Sequence, residues 1–222
     1  MSEVADLRPA LGLVRDQGPR GTCLAFAVTA AHEQARLLRR GALEAALGEE
    51  LLYWACKELD GNHSPGTYPR SAAKALVDMG QSAAALWPYD TARWESDDTY
   101  APPSGALEED EMRHATLSAT STDLDNLRDI LRAGTAIVLG LELWPQFYAA
   151  HGGALRTPSV TDLLGAAHAV ALVGFDEDKQ EFCLRNSWGE SWGEEGHGRL
   201  PYAAMAVACR GAWIVVDDID RD

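Results

Sequence analysis

An α+β fold, helical in its first half and β-rich in its second, is predicted by three features of the sequence. Residues 24–40 (LAFAVTAAHEQARLLRR) carry Leu24, Ala27, Ala31, Ala35 and Leu38 at three-to-four spacing, the period of a helix face. Beyond residue 134 come short apolar runs rich in β-branched and aromatic residues. Between the two, from Thr91 to Met112, neither period is present. The boundary between a helical lobe and a sheet lobe is expected between residues 100 and 120, and a cleft between lobes is where sites form.

The elements follow in order. The first helix ends in a basic turn with Gly41 beyond it. A second helix, Glu49 to Leu59, is stopped by Asp60-Gly61, and a third, Pro69 to Met79, has proline in its first turn and Gly80 as its cap. Residues 95–111 hold Glu95, Asp97, Asp98, Glu108, Glu109, Asp110 and Glu111 with no basic residue, which reads as a solvated crossing loop. After a short helix near Asp123 to Ala133, strands are expected at Thr135–Leu143, Ala167–Phe175, Glu181–Arg185 and Ala212–Val216. The polar connection Asp176-Glu177-Asp178-Lys179 makes the middle pair antiparallel.

Composition excludes several functions. The chain has 222 residues, and its 34 acidic against 19 basic side chains give a net charge of -15, which repels phosphate backbones and argues against nucleic acid. No apolar run approaches the ~20 residues of a spanning helix, and no secretory signal follows Met1, so no membrane partner is expected. Cys23, Cys56, Cys183 and Cys209 form no CxxC, too few for a disulfide scaffold or zinc finger, so neither metal nor other cofactor is expected and a reducing, cytoplasmic location fits. Asn62-His63-Ser64 matches a glycosylation sequon, taken as chance.

Two candidates carry chemistry. Gln17-Gly18-Pro19-Arg20-Gly21-Thr22-Cys23 is turn-rich and delivers a thiol to the first turn of a helix, where unpaired N–H groups and the helix dipole favour thiolate and can hold an oxyanion. The alternative for Cys23 is a small buried residue. His168 stands inside an apolar strand, where a titrating ring is costly unless it is used or hydrogen-bonded. A satisfied core histidine is its alternative; for His32, His63, His114, His151 and His197 surface roles suffice. Eighteen residues on, Asn186 can accept from one imidazole nitrogen and leave the other facing a sulfur, while Trp188 keeps water off that bond. Trp188 and Trp192 also read as core aromatics.

Gln17-Gly-x-x-Gly21-x-Cys23-x-Ala25-Phe26, His168-Ala169-Val170 with Gly174-Phe175, and Asn186-Ser-Trp188-Gly-x-x-Trp192-Gly together resemble the papain family of cysteine peptidases. The order Cys, His, Asn matches, and so does the separation of 145 residues from Cys23 to His168. Gly48-Glu49-Glu50, Gly66-Thr67-Tyr68-Pro69 and Trp87-Pro88-Tyr89 extend the likeness over nearly the whole chain. The resemblance implies one domain over residues 1–222 with a two-lobed fold. A helical left lobe takes about residues 12–110 and an antiparallel β-barrel-like right lobe about 111–222, with the N-terminal segment packing on the latter and the active-site cleft between. It also implies peptide-bond hydrolysis of a polypeptide substrate: Cys23 the nucleophile, His168 base and then acid, Asn186 its orienter, Trp188 its shield, and Gln17 an oxyanion donor beside the Cys23 N–H. Tyr68, Pro69, Gly140 and Ala169 match the pocket for the second residue before the cut, and Gly66 and Thr67 the strand-like docking of substrate. A scaffold that binds peptides, or one that transfers the acyl group to another acceptor, is the alternative.

The departures from the family pattern are informative. Arg20 stands where a cysteine is usual, Leu24 where an aromatic is, Thr67 where a second glycine is, and Cys56 has no familiar disulfide partner. Loss of the staples resembles bacterial members of the family. Arg20 adds positive potential beside the thiolate or else forms a surface salt bridge. Asp6-Leu7-Arg8 is already family-like, which places no inhibitory propeptide ahead of the domain and leaves control to an unidentified regulatory or activating partner. The acidic loop has two readings, attraction of basic substrates or simple solubility.

Overall fold

A computed structural model describes residues 3–42, 45–97, 99–108 and 111–218 of the chain. Two compact units emerge, one of residues 1–16 and 119–214, the other of residues 17–118 and 215–222.

The second unit is built on α1 (Cys23–Arg40), α2 (Glu49–Asp60) and α3 (Pro69–Asp78). α1 stops where Gly41 takes φ +74°, a left-handed conformation that costs glycine nothing, and its N–H caps Leu37 O at 2.9 Å. Every residue from Leu24 to Arg36 is buried, so α1 is a core helix with no solvent face over three turns. Leu38 departs from its apolar period: it sits in the last turn, past the packed region, and is 54% exposed. The acidic crossing is less solvated than its composition suggests. Glu95 is buried and accepts the Tyr53 hydroxyl at 3.2 Å, and Ala106 and Met112 pack with Leu51 and Trp87. Asp98, Glu109 and Asp110 of that run lie outside the described residues.

Two histidines assigned to the surface are buried here. His114 donates from Nδ1 to Val77 O at 3.2 Å. His32 is fully enclosed: Nδ1 meets Gln81 Oε1 at 2.8 Å and Nε2 meets the Asp217 carboxylate at 3.3 Å. Gln81 gives its amide hydrogens to Thr29 Oγ1 and Gly48 O, which turns its oxygen toward the ring. The buried Asp217 carboxylate also takes Arg36 at 2.9 Å, so it ties the end of the last strand to α1.

Strands β1 (Val4–Asp6), β2 (Ala115–Thr120), β3 (Ile137–Glu142), β4 (Ala167–Asp176), β5 (Glu181–Arg185), β6 (His197–Pro201) and β7 (Cys209–Asp217) form an antiparallel sheet in the order β2-β7-β3-β4-β5-β6, with β1 beside β4. The sheet is open: its end strands β2 and β6 do not pair, which corrects the barrel-like expectation. β4 and β5 are antiparallel across the polar connection, as its residues suggest. Of the helices here, α4 (Leu124–Arg132) and α5 (Pro145–Tyr148) flank β3, and α6 (Tyr202–Ala208) leads into β7. Leu139, Leu172, Phe147, Phe182 and Leu184 centre the core of the first unit. Gly174 is required where β1 crosses, because a Cβ there would lie 2.4 Å from Ala5 O. Among the described residues no helix is long and apolar enough to cross a membrane.

Removing the carboxylate that accepts from Arg36 strands a buried guanidinium and leaves His32 Nε2 without its partner. Asp217→Ala is therefore expected to lower unfolding free energy by about 3–5 kcal/mol in urea titrations, with Leu38→Ala, at the exposed helix end, within about 0.5 kcal/mol of the parent.

Candidate active site

The first unit assembles an imidazole and its orienter by strand register. β3 and β4 pair so that Leu141 faces His168 and Gly140 faces Ala169. Asn186 follows the last residue of β5, and its backbone N–H is fixed on Gly196 O at 3.0 Å. From there Asn186 Oδ1 lies 2.7 Å from His168 Nε2. The same oxygen accepts the Ser187 N–H at 2.9 Å, which a carboxamide nitrogen could not do, so the amide orientation is settled. Nε2 must then carry the proton, and Nδ1 keeps the lone pair in the neutral ring. Among the described residues Asn186 Nδ2 is buried without a hydrogen-bond partner, a cost tolerated to hold this geometry.

Aromatic rings enclose the pair. Trp188 tilts over the imidazole with centroids 4.7 Å apart, Phe147 meets it edge-on at 5.8 Å, and Phe147 and Trp188 contact each other at 5.5 Å. Trp192 is a core aromatic, donating from Nε1 to Phe147 O at 2.9 Å. Tyr148 stacks on Trp188 at 5.3 Å and remains 53% exposed. The sequence reading missed Phe147 and Tyr148; the cluster Trp144-Pro145-Gln146-Phe147-Tyr148 just after β3 was the available signal. Burial among these rings disfavours charge and pulls the His168 pKa from its usual 6.5 down to about 4, the Asn186 hydrogen bond opposing only part of the shift. Gly140 belongs to the same unit, and a Cβ there would touch the Trp213 ring at 3.4 Å.

The second unit places Cys23 at the first position of an 18-residue helix with no acidic residue in its first turn. The thiol is partly exposed, and no disulfide joins any of the four cysteines. Burial pushes the thiol of Cys56 up to about 12 and that of Cys183 to about 11, and raises that of Cys209, so those three are disfavoured as thiolates. Gln17 is buried, its amide nitrogen donating to Arg20 O at 2.7 Å. Its backbone carbonyl accepts Tyr89 OH at 2.7 Å, and Tyr89 OH in turn accepts Thr22 Oγ1 at 2.8 Å, so Tyr89 ties both ends of the loop before Cys23.

Arg20 lies on neither the surface nor an open face. Its guanidinium and Glu50 are fully buried in a two-pronged pair, both bonds 2.8 Å, with Asp90 O accepting a further bond and Tyr89 and Tyr100 rings flanking it at 4.8 and 5.6 Å. It therefore braces the loop, as a planar fork can and an ammonium cannot. Against that loop runs the segment of Gly66 and Thr67: a Cβ on Gly21 would lie 2.5 Å from Gly66 N. Tyr68 is half exposed beneath the Arg70 guanidinium at 4.3 Å, and Pro69 opens α3. The first unit thus gathers His168, Asn186, Trp188, Gly140 and Ala169, the second Cys23, Gln17 and residues 66–69. Among the described residues no cluster of three or more His, Cys, Asp or Glu side chains is arranged to hold a metal ion.

Comparison with known proteins is consistent across sequence and structure. The sequence profile described as papain family cysteine protease matches residues 1–210. An uncharacterized peptidase C1-like protein of Acanthamoeba polyphaga mimivirus is 25% identical over 220 residues, 93% of this chain and 69% of the viral protein. Ananain of Ananas comosus is 27% identical over 200 residues, 86% of this chain, which spans 52% of ananain's length. Among solved structures, xylellain of Xylella fastidiosa superposes with a TM-score of 0.85 at 24% identity, covering 96% of this chain and 85% of xylellain, a likeness of fold.

Because Arg20 and Glu50 are buried together, losing one partner should cost far more than losing both. Glu50→Ala is expected to cost about 3–5 kcal/mol, and Arg20→Met/Glu50→Leu appreciably less, in a double-mutant cycle followed by urea unfolding.

Proposed function

The chain belongs to the papain family of cysteine proteases, and from that premise we propose that it hydrolyses peptide bonds through Cys23 and His168. The observation that carries the reading is the 2.7 Å bond from His168 Nε2 to Asn186 Oδ1, which reserves Nδ1 for proton exchange with a sulfur. The Cys23 thiolate, favoured by the α1 N-terminus, adds to the scissile carbonyl. The oxyanion takes the Cys23 backbone N–H and the Gln17 amide. Imidazolium then protonates the leaving amine as the C–N bond breaks, leaving a thioester on Cys23. Water, deprotonated by neutral His168, hydrolyses the thioester and returns sulfur and ring to their starting states. Trp188 and Phe147 keep solvent off the ring throughout.

Substrate would dock as an extended segment along Gly66 and Thr67, with Tyr68, Pro69, Gly140 and Ala169 around the second residue before the cut. The complete set of Cys23, His168, Asn186 and Gln17 supports turnover over peptide binding, which needs none of them. The absence of disulfides among four cysteines supports a reducing bacterial cytoplasm as the working compartment, and the net charge of -15 supports protein over nucleic-acid substrates.

Buried imidazole holds a proton at neutral pH only beside an anion, and the thiolate is that anion. Native protein is expected to consume iodoacetamide at Cys23 at about pH 5.5 well above the rate of an ordinary thiol, whose pKa is about 8.5; a rate no faster rejects the ion pair. Cys23→Ser should lower peptidase kcat/KM by about a thousandfold or more, and retained activity rejects the nucleophile. In Cys23→Ala the His168 ring loses that anion and titrates near its buried value of about 4. The unfolded ring binds its proton near pH ~6.5. Stability of this variant is then fully present above about pH 6.5 and declines as pH falls toward about 4, a slope that Cys23→Ala/His168→Gln should lack in urea titrations.

A further inference from the structure

Lys57 lies one turn from the end of α2 and is buried, an expensive place for an ammonium unless all its hydrogens are used and its charge is answered. Both conditions are met. Its three donors reach Asn62 Oδ1 at 3.1 Å, Ser64 O at 2.7 Å and Gly66 O at 3.0 Å, and the Asp60 carboxylate stands 3.5 Å away. Asp60 is held in turn by Ser71 Oγ at 2.5 Å, from the first turn of α3. Asn62 closes the loop on itself, accepting Ser64 N–H at 3.0 Å and donating to Asp60 O at 3.1 Å. One side chain therefore gathers three points of the α2–α3 connection.

The consequence falls on Gly66. Its carbonyl is taken by Lys57, and its N–H goes to Tyr53 OH at 3.2 Å, whose proton is given to the buried Glu95. Both polar groups of this residue face inward. Gly66 itself takes φ +90°, a conformation open to glycine, and among the described residues neither backbone group of the next residue, Thr67, has a backbone partner. The loop leading to Cys23 abuts the same segment at Gly21, so whatever fixes Gly66 fixes Thr67 relative to that loop.

We propose that Lys57, with Tyr53, is a positioning residue for substrate: by occupying both backbone groups of Gly66 from beneath, it presents the N–H and C=O of Thr67 as the pair that binds the substrate main chain. This rests on the peptidase reading above. It assigns docking to Thr67 alone of the two residues, and it gives the segment a cationic anchor where no disulfide is present.

The test uses a Cys23→Ala parent, which cannot turn over, and the peptide acetyl-Ala-Leu-Lys-Ala-amide, with binding measured by calorimetry. Lys57→Met keeps the aliphatic stem, and Asp60→Asn in the same variant removes the carboxylate that would otherwise be orphaned. The double change is expected to weaken binding about tenfold, the scale of one to two hydrogen bonds. A peptide with an ester oxygen replacing the leucine N–H should bind the parent about tenfold less well and the double variant less than twofold less well than the amide does, a difference that general loosening does not produce. Asn62→Ala, at an exposed position, removes one acceptor with little threat to folding and should weaken binding by about threefold. With Cys23 intact, each variant should react with iodoacetamide, which needs no docking, within about twofold of the unsubstituted chain. A folded Lys57→Met/Asp60→Asn protein that binds as the parent does, or one that keeps the full ester penalty, overturns the assignment. Should the double variant fail to fold, unchanged binding by Asn62→Ala overturns it. Failure of the parent itself to bind the peptide overturns the docking reading first, and the role of Lys57 with it, so the two failures are told apart by the parent alone.

Discussion

One oxygen atom settles the tautomer of the buried imidazole in the β-rich unit. Asn186 Oδ1 accepts from its own neighbour's backbone N–H and from His168 Nε2, and a carboxamide oxygen cannot donate in return. The ring has no second neutral tautomer compatible with that bond, so the nitrogen that keeps the lone pair, Nδ1, is chosen by the fold. A carboxylate in the same place would fix the tautomer too, but it would hold imidazolium in place through its own charge. The neutral amide leaves the protonation of His168 to be decided by whatever faces Nδ1. Rings on either side then make that decision steep, since with little water present a charge on the ring is tolerated only when an opposite charge stands close.

The helical unit solves a different problem, rigidity without covalent cross-links. Arg20 with Glu50, Lys57 with Asp60, and Asp217 with Arg36 are buried ion pairs in which the cations make several directional hydrogen bonds, although Arg20 Nε and Asp60 Oδ2 find no hydrogen-bond partner among the described residues. Such pairs add little net stability over apolar packing, but they penalise misplacement severely, because a shift of about an ångström leaves a charge unanswered. That is the property the loop before Cys23 requires under the proposed mechanism. Arg20 reaches a side chain, a carbonyl and two aromatic faces, Lys57 three acceptors of one connection, and each works through directionality a hydrocarbon lacks.

How much of this was legible in sequence depended on whether a residue's role is local. α1 and the pair β4 and β5 were readable because period, cap and turn residues lie within the elements they define. The strands missed were β1, three residues long, β2, which alternates with few large apolar residues, and β6, interrupted by Gly198. Each exists through its partners: β1 forms because Gly174 lets Ala5 O approach. Cys23, His168 and Asn186 were singled out through their motifs, and the bond between the last two follows from register that the hairpin already hinted at. Glu50 and Lys57 were not found as site residues, since an ion pair 30 positions apart or an ammonium under a loop carries no periodic signature. Opposite charges on a buried helix face are the residue of such a signal, visible only once burial is known.

A thiol at a helix start is biased slightly toward thiolate, while a ring in an aromatic pocket is biased away from the imidazolium that would pair with it. The helix dipole is worth about 0.3–1 kcal/mol to an anion at ordinary exposure, too little by itself to ionise most of a thiol with a pKa near ~8.5 at neutral pH. Burial, for its part, drives the ring neutral, with a pKa of about 4. Neither effect produces a thiolate and an imidazolium alone. In the proposed mechanism the coupling between two opposite charges supplies the rest, and only a medium from which water is excluded makes such coupling large. Under the proposed mechanism, the pocket that penalises an isolated imidazolium is the same feature that rewards a paired one, which would give Phe147 and Trp188 a part in the chemistry as well as in the core.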